Sequence, residues 1–129
     1  MILVDTHVVV WLAFEQSELS KKARAAIDDA RTKDGLAISS ITLWELAMLA
    51  SRGRIRLDIS LESFLQEVER HFVVLPISSR ACARVVGLPP TYPKDPVDRI
   101  IAATALVEGL ALVTADREIR HSKVVPTIW

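Results

Sequence analysis

The chain has 129 residues, 16 Lys plus Arg against 16 Asp plus Glu, a formal charge of zero at pH 7, and half of its residues are hydrophobic. This length and apolar content support one domain, residues 1–129, with a sizeable core, while the balanced charge lacks the basic surplus that marks many nucleic-acid binders. Cys82 is the single cysteine, which excludes an internal disulfide framework; no apolar run approaches the ~20 residues of a membrane span, and no basic segment precedes a long apolar stretch, so no signal peptide is expected and a cytoplasmic protein is.

Ile2-Leu3-Val4 reads as a buried strand, and Thr6 to Phe14 as a short, very apolar helix. Ser20 to Asp34 is amphipathic, with Ala23, Ala26, Ile27 and Ala30 on one face, and Gly35 stops it. Leu36-Ala37-Ile38 is a second strand. Ile41 to Ser51 is a helix that ends near Gly53, and Ser60 caps the next, which runs to about His71. Phe72 to Leu75 is a third strand, and Ser79 to Val86 is helical. Pro89-Pro90-Thr91-Tyr92-Pro93 cannot be helical. Asp95 then caps a helix with Pro96 at its first position, Glu108 at its end and Gly109 as its stop. Ala111-Leu112-Val113 is a fourth strand, Asp116 to His121 a short helix, and Val124-Val125 a last short strand. Strands alternating with helices specify an α/β fold, a central parallel sheet with helices on both faces. The ligand site of such a sheet is expected beyond the carboxyl ends of its strands.

Four acids stand out. Asp5 follows the first strand, and Asp116 lies three residues past the fourth; helix capping is the plain alternative for each. Glu45 is the only charge in Ile41 to Ala50, with Ile41, Met48 and Leu49 on its face. A helix apolar all round is expected to be buried, and a carboxylate on it must be paired, protonated or metal-bound. Asp98 shares its face with Ile101, Ala102 and Ala105, the stripe that should pack on the sheet, so it points inward; completing a capping box with Asp95 is the rival explanation. Asp95 itself is explained by capping.

Four crowded carboxylates repel one another unless a cation intervenes. His7, His71 and His121 are far apart, so ligation is by oxygen, which favours Mg²⁺ or Mn²⁺. Such a site suits phosphodiester hydrolysis, with Asp5, Asp98 and Asp116 as ligands and Glu45 binding a second ion or orienting water. Thr6 and Thr114 could hydrogen-bond a carboxylate. Basic residues cluster at Lys21, Lys22 and Arg24, at Arg52, Arg54 and Arg56, and at Arg117, Arg120 and Lys123; solvated surface is the plain reading of each, as it is for Lys94 and Arg99 beside Asp98.

The four blocks Leu3-Val4-Asp5-Thr6-His7, Ser39-Ser40-Ile41-Thr42-Leu43-Trp44-Glu45-Leu46-Ala47, Asp95-Pro96-Val97-Asp98-Arg99-Ile100-Ile101-Ala102-Ala103 and Leu112-Val113-Thr114-Ala115-Asp116 together resemble the PIN-domain ribonucleases, specifically VapC-type toxins of bacterial toxin–antitoxin pairs. The resemblance covers nearly the whole chain. It implies a PIN fold, a metal-dependent endoribonuclease acting on RNA, a homodimer, and a VapB-type antitoxin that blocks the site. The third block holds two acids, and alignment on its Ile-Ala-Ala run favours Asp98. Tyr92-Pro93-Lys94 lacks a histidine carried by many relatives, and Leu49 stands where a basic residue is expected in close ones. Rival readings fare worse. A phospho-acceptor domain needs an Asp after a middle strand and a Lys after a late one, and none follows Ile38, Leu75 or Val113. A phosphatase of the haloacid-dehalogenase type needs an acid at position 7, where His7 stands. An inactive PIN-like binding module is disfavoured by the intact acids.

Overall fold

A computed structural model describes residues 1–129. Five strands form one all-parallel sheet: β1 (Ile2–Val4), β2 (Leu36–Ser39), β3 (Val73–Leu75), β4 (Leu112–Val113) and β5 (Thr127–Ile128), in the order β3-β2-β1-β4-β5. Seven helices connect them: α1 (Thr6–Phe14), α2 (Lys21–Arg31), α3 (Ser40–Ser51), α4 (Leu61–His71), α5 (Ser79–Val86), α6 (Pro96–Glu108) and α7 (Arg117–Ser122), with a 3₁₀ turn at Gln16–Glu18.

The two-residue alternation of the strands divides the core. Val4, Leu36, Ile38 and Val113 face one layer, built with Val8 and Val9 of α1, Ala23 and Ile27 of α2, Leu46 of α3 and Phe64 and Val68 of α4. Leu3, Ala37 and Leu112 face the other, built with Ile101, Ala102 and Ala105 of α6 and Ile119 of α7. Both faces of the sheet are therefore covered, as expected for a parallel sheet.

Five successive residues of α6, Ile101 to Ala105, are buried. A helix enclosed in this way needs small side chains, and three of the five are alanine. Enlarging a closed position such as Ala102 forces neighbours from their rotamers. Ala102→Leu should lower unfolding free energy by about 1–3 kcal/mol in a denaturant titration; an unchanged midpoint would mean the layer has slack that its burial denies.

The final strand differs from expectation. Val124-Val125 does not pair; the edge strand is Thr127–Ile128, in register with Leu112 and Val113. Lys123 adopts a left-handed conformation (φ 55°), and Val125 is spent filling the α6-side core. Pro126 cannot donate but its carbonyl accepts from Leu112 N at 2.8 Å, leading the chain into the ladder. No helix is long and apolar enough to cross a membrane.

Candidate active site

The order of the strands brings the acids together. β1 pairs with β4 in the register Leu3–Leu112 and Val4–Val113, so Asp5 and Thr114 leave the sheet side by side. Asp5, only 4% exposed, uses one oxygen to accept Thr6 N at 2.9 Å, the cap of α1. Its other oxygen accepts the Thr114 hydroxyl at 2.8 Å. That hydroxyl in turn accepts Asp116 N at 3.1 Å, so one threonine ties the Asp5 side chain to the Asp116 backbone. Asp116 caps α7 by accepting Ile119 N at 3.1 Å. Capping thus explains where Asp5 and Asp116 sit, and both still lie at the carboxyl edge.

Glu45 is delivered from β2 by α3. Ser39 caps that helix, accepting Ile41 N at 3.3 Å. The Thr6 hydroxyl donates to Glu45 Oε1 and lies 3.1 Å from the Thr42 hydroxyl, so the first turn of α1 is fastened to α3 next to the acid. Burial raises the Glu45 carboxyl above its usual range against the opposing Thr6 bond, and the charges of Asp5 and Asp95 push the same way as burial.

Asp98 is the most perturbed acid. Burial, reinforced by the charges of Asp5, Asp95, Asp116 and Glu45, pushes its carboxyl up to about 7. Asp98 therefore lies within electrostatic reach of the other three acids singled out in the sequence. Asp95 accepts Val97 N at 2.8 Å and Asp98 N at 3.1 Å as the cap of α6. Asp98 returns no bond to it, so a reciprocal capping box does not form. Neither Glu45, Asp98 nor Asp116 makes an ion pair. Arg99, the nearest arginine in sequence, spends its guanidinium on the Tyr92 carbonyl at 3.1 Å.

One expectation for α3 is overturned. Only Thr42 and Leu46 are fully buried, and Trp44 is 54% exposed. An apolar sequence all round this helix does not mean enclosure, because one of its faces meets no other element.

The sequence reading missed three contributors. Thr42 extends the hydroxyl network described above. Tyr92, 1% exposed, lies beneath the N-terminus of α6 with its hydroxyl 3.4 Å from the Asp98 carbonyl, and burial there raises its phenol well above the ordinary value. An aromatic between prolines was the available signal. His7 accepts Ala115 N at 3.0 Å through Nε2. That acceptance leaves the proton on Nδ1, which lies 3.5 Å from Asp5 Oδ2. Trp11 meets the ring edge-on with centroids 5.0 Å apart. The imidazole thus braces the Asp5 loop against the Asp116 loop.

A resident cation fits the chemistry of the set: carboxylates that raise one another's proton affinity, with no lysine or arginine paired to any of them. No three Asp, Glu or His side chains converge into a ready-made cage. Mg²⁺ tolerates this, because it keeps several waters and takes only one or two carboxylates directly, completing its shell from substrate phosphate. Asp5, Asp98 and Asp116 are the residues that would hold it, one or two directly and the rest through its waters. His7→Leu should then weaken Mn²⁺ binding at least tenfold by calorimetry, within the range seen when a ligand's hydrogen-bonded support is removed, while His7→Gln, which keeps an acceptor for Ala115 N, retains most of it. Equal affinity in both variants would show that the brace is irrelevant to the acids.

The two cavities of the molecule touch none of the acids. One, of about 220 Å³, lies between α1 and α4, lined by Val9, Leu12, Phe64 and Val68 among others; the larger, of about 420 Å³, lies at the C-terminal end of α6, lined by Ala105, Leu106, Gly109, Leu110, Ala111 and Pro126. Small-molecule sites are enclosed and mostly apolar; an acidic edge without a cavity suits a polymer passing across it.

The PIN domain family matches residues 2–124. Ribonuclease VapC22 of Mycobacterium tuberculosis (strain ATCC 25618 / H37Rv) is 41% identical over 131 aligned positions, covering 99% of this chain and 98% of that protein. Among solved structures, VapBC2 from Rickettsia felis bound to a DNA fragment from its promoter superposes with a TM-score of 0.74 at 18% identity, covering 98% of this chain and 97% of that one. VapBC-1 from nontypeable Haemophilus influenzae does so with a TM-score of 0.73 at 19% identity, covering 98% and 96%. At such identities these two establish a shared fold.

Proposed function

This chain belongs to the PIN-domain family, and we propose that it is a Mg²⁺- or Mn²⁺-dependent endoribonuclease, the toxin of a VapBC-type toxin–antitoxin pair, acting in the cytoplasm. The observation that carries the reading is Asp98: a half-buried carboxyl within electrostatic reach of four other acids, with no cationic side chain paired to it. Such an arrangement is costly unless it serves a cation. Identity to a ribonuclease across nearly the full chain supports the reaction, and likeness to VapBC complexes supports a VapB-type antitoxin.

When bound, a hard divalent cation supplies Lewis acidity at a phosphoryl oxygen and offsets charge that builds up there. The residues of the chain do the rest. Asp5 is immobilised by Thr6 N and the Thr114 hydroxyl, so it presents a fixed charge. Asp98 and Asp116 approach from α6 and the start of α7 and complete the oxygen set. Glu45 commits one oxygen to the Thr6 hydroxyl and keeps the other free. Burial makes this carboxyl more basic than an ordinary glutamate, which suits it to orient the attacking water and take its proton.

The test is cleavage of a mixed-sequence single-stranded RNA with Mg²⁺, with Mn²⁺ and with EDTA. Cleavage in the first two and none in the third is expected; RNA left intact under all three conditions would overturn the proposal. Antitoxin and homodimer are part of the same reading. Co-purification with a small DNA-binding protein encoded beside this gene, and a two-fold mass in sedimentation, are the expected results.

A further inference from the structure

An acidic edge repels the phosphates it is meant to act on, and a chain of zero net charge offers no general attraction, so affinity for RNA must come from a local surface. α3 supplies one. Ile41, Leu43, Leu46, Leu49 and Ala50 pack into the two cores, whereas Trp44 and Met48 join neither. Trp44 directly precedes Glu45 and is 54% exposed. Arg52 lies seven residues after Glu45, hence on nearly the same side of the helix and about 10.5 Å further along its axis. Arg54 and Arg56 follow it. Ile55 between them is buried in the core, and Gly53 and Arg54 bond back to Ala50 and Leu49 at 3.1 and 2.9 Å, so this segment is anchored. Arg52, Arg54 and Arg56 are exposed, and none has an ion-pair partner.

We infer, resting on the ribonuclease reading above, that single-stranded RNA runs from the acidic edge along α3, with a base stacked on Trp44 and its phosphates met by Arg52, Arg54 and Arg56. Aromatic stacking beside a basic track is how single strands are held without sequence readout. A second copy of the chain is the competing occupant. A two-fold interface presents the same patch from both subunits, and so the same uncompensated arginines, whereas a polyanion neutralises them.

The test is fluorescence anisotropy of a fluorescein-labelled, mixed-sequence oligoribonucleotide in Mg²⁺, with every protein carrying Asp98→Asn so that the probe stays intact. Trp44→Ala should weaken binding about tenfold and Trp44→Phe less than about threefold, since a phenyl ring still stacks. Replacing the three arginines by glutamine should lower the salt dependence, log K against log salt, by about 2, from ~0.7 per phosphate contact on a single strand. Sedimentation is run on the same proteins. Undiminished RNA affinity in Trp44→Ala, or a dimer that falls apart while each subunit binds RNA as before, overturns this inference and leaves the nuclease reading intact. No RNA binding by the parent protein overturns the nuclease reading beneath it.

Discussion

Asp98→Asn should reduce RNA cleavage about a thousandfold, near 4 kcal/mol of transition-state stabilisation, without loss of the fold. The amide keeps the shape and the half-buried position of the carboxyl but removes an anionic oxygen from the set that would hold the cation. Its effect on stability has the opposite sign to its effect on rate. Asp98 is surrounded by Asp5, Asp95, Asp116 and Glu45, so neutralising it relieves repulsion in the metal-free protein. The metal-free melting temperature at pH 7.5 is therefore expected to rise. Asp95→Asn is the control. Asparagine caps helices about as well as aspartate, and Asp95 is exposed with its side chain turned to Val97 N and Asp98 N. Cleavage by that variant should stay within a few-fold of the parent. The reverse outcome, an active Asp98→Asn and an inactive Asp95→Asn, would transfer the role to the neighbouring acid.

The second large effect is the response of stability to pH and divalent ions. Asp98 titrates near 7 in the fold against an ordinary value of 3.8, and Glu45 is raised as well. Between these limits the folded protein binds more protons than the unfolded chain, so its stability falls as pH rises. The contribution of Asp98 is fully present below about pH 4 and is lost as pH passes through about 7. In EDTA, the melting temperature should decline across that window by more than in Asp98→Asn. Adding Mg²⁺ or Mn²⁺ should restore it at neutral pH, by about 2.7 kcal/mol at a hundred times the dissociation constant. A melting temperature indifferent to millimolar ions, or a parent and variant with parallel pH profiles, would count against a preformed cation site.

Much of this arrangement was legible before the structure. Local rules suffice for the caps: Ser60 and Asp95 each accept the backbone N–H groups that their positions predict. Facing rules suffice for Asp98, because Ile101, Ala102 and Ala105 on its stripe pack into the α6-side core and carry it inward. What escaped is what depends on remote pairing. His7 meets Ala115 from 108 residues away, and Thr42 meets Thr6 from 36, contacts that no local pattern announces. Val124-Val125 misled for a different reason: two β-branched residues fit a strand, but tertiary packing claimed Val125 for the core and left pairing to Thr127 and Ile128. Trp44 shows the same limit from the other side, since an apolar run records what a helix is able to bury and not whether anything covers it.

Under the proposed function, divalent cation binding reconciles the charges of Asp5, Glu45, Asp98 and Asp116. Anomalous diffraction from crystals soaked in Mn²⁺ addresses it most directly. The account predicts a Mn²⁺ peak at the carboxyl edge of β1 and β4, ligated by oxygens of Asp5, Asp98 or Asp116 and completed by water, and no such peak in Asp98→Asn crystals. A peak only elsewhere on the surface, or an edge left empty at millimolar Mn²⁺ with all four acids intact, would contradict it.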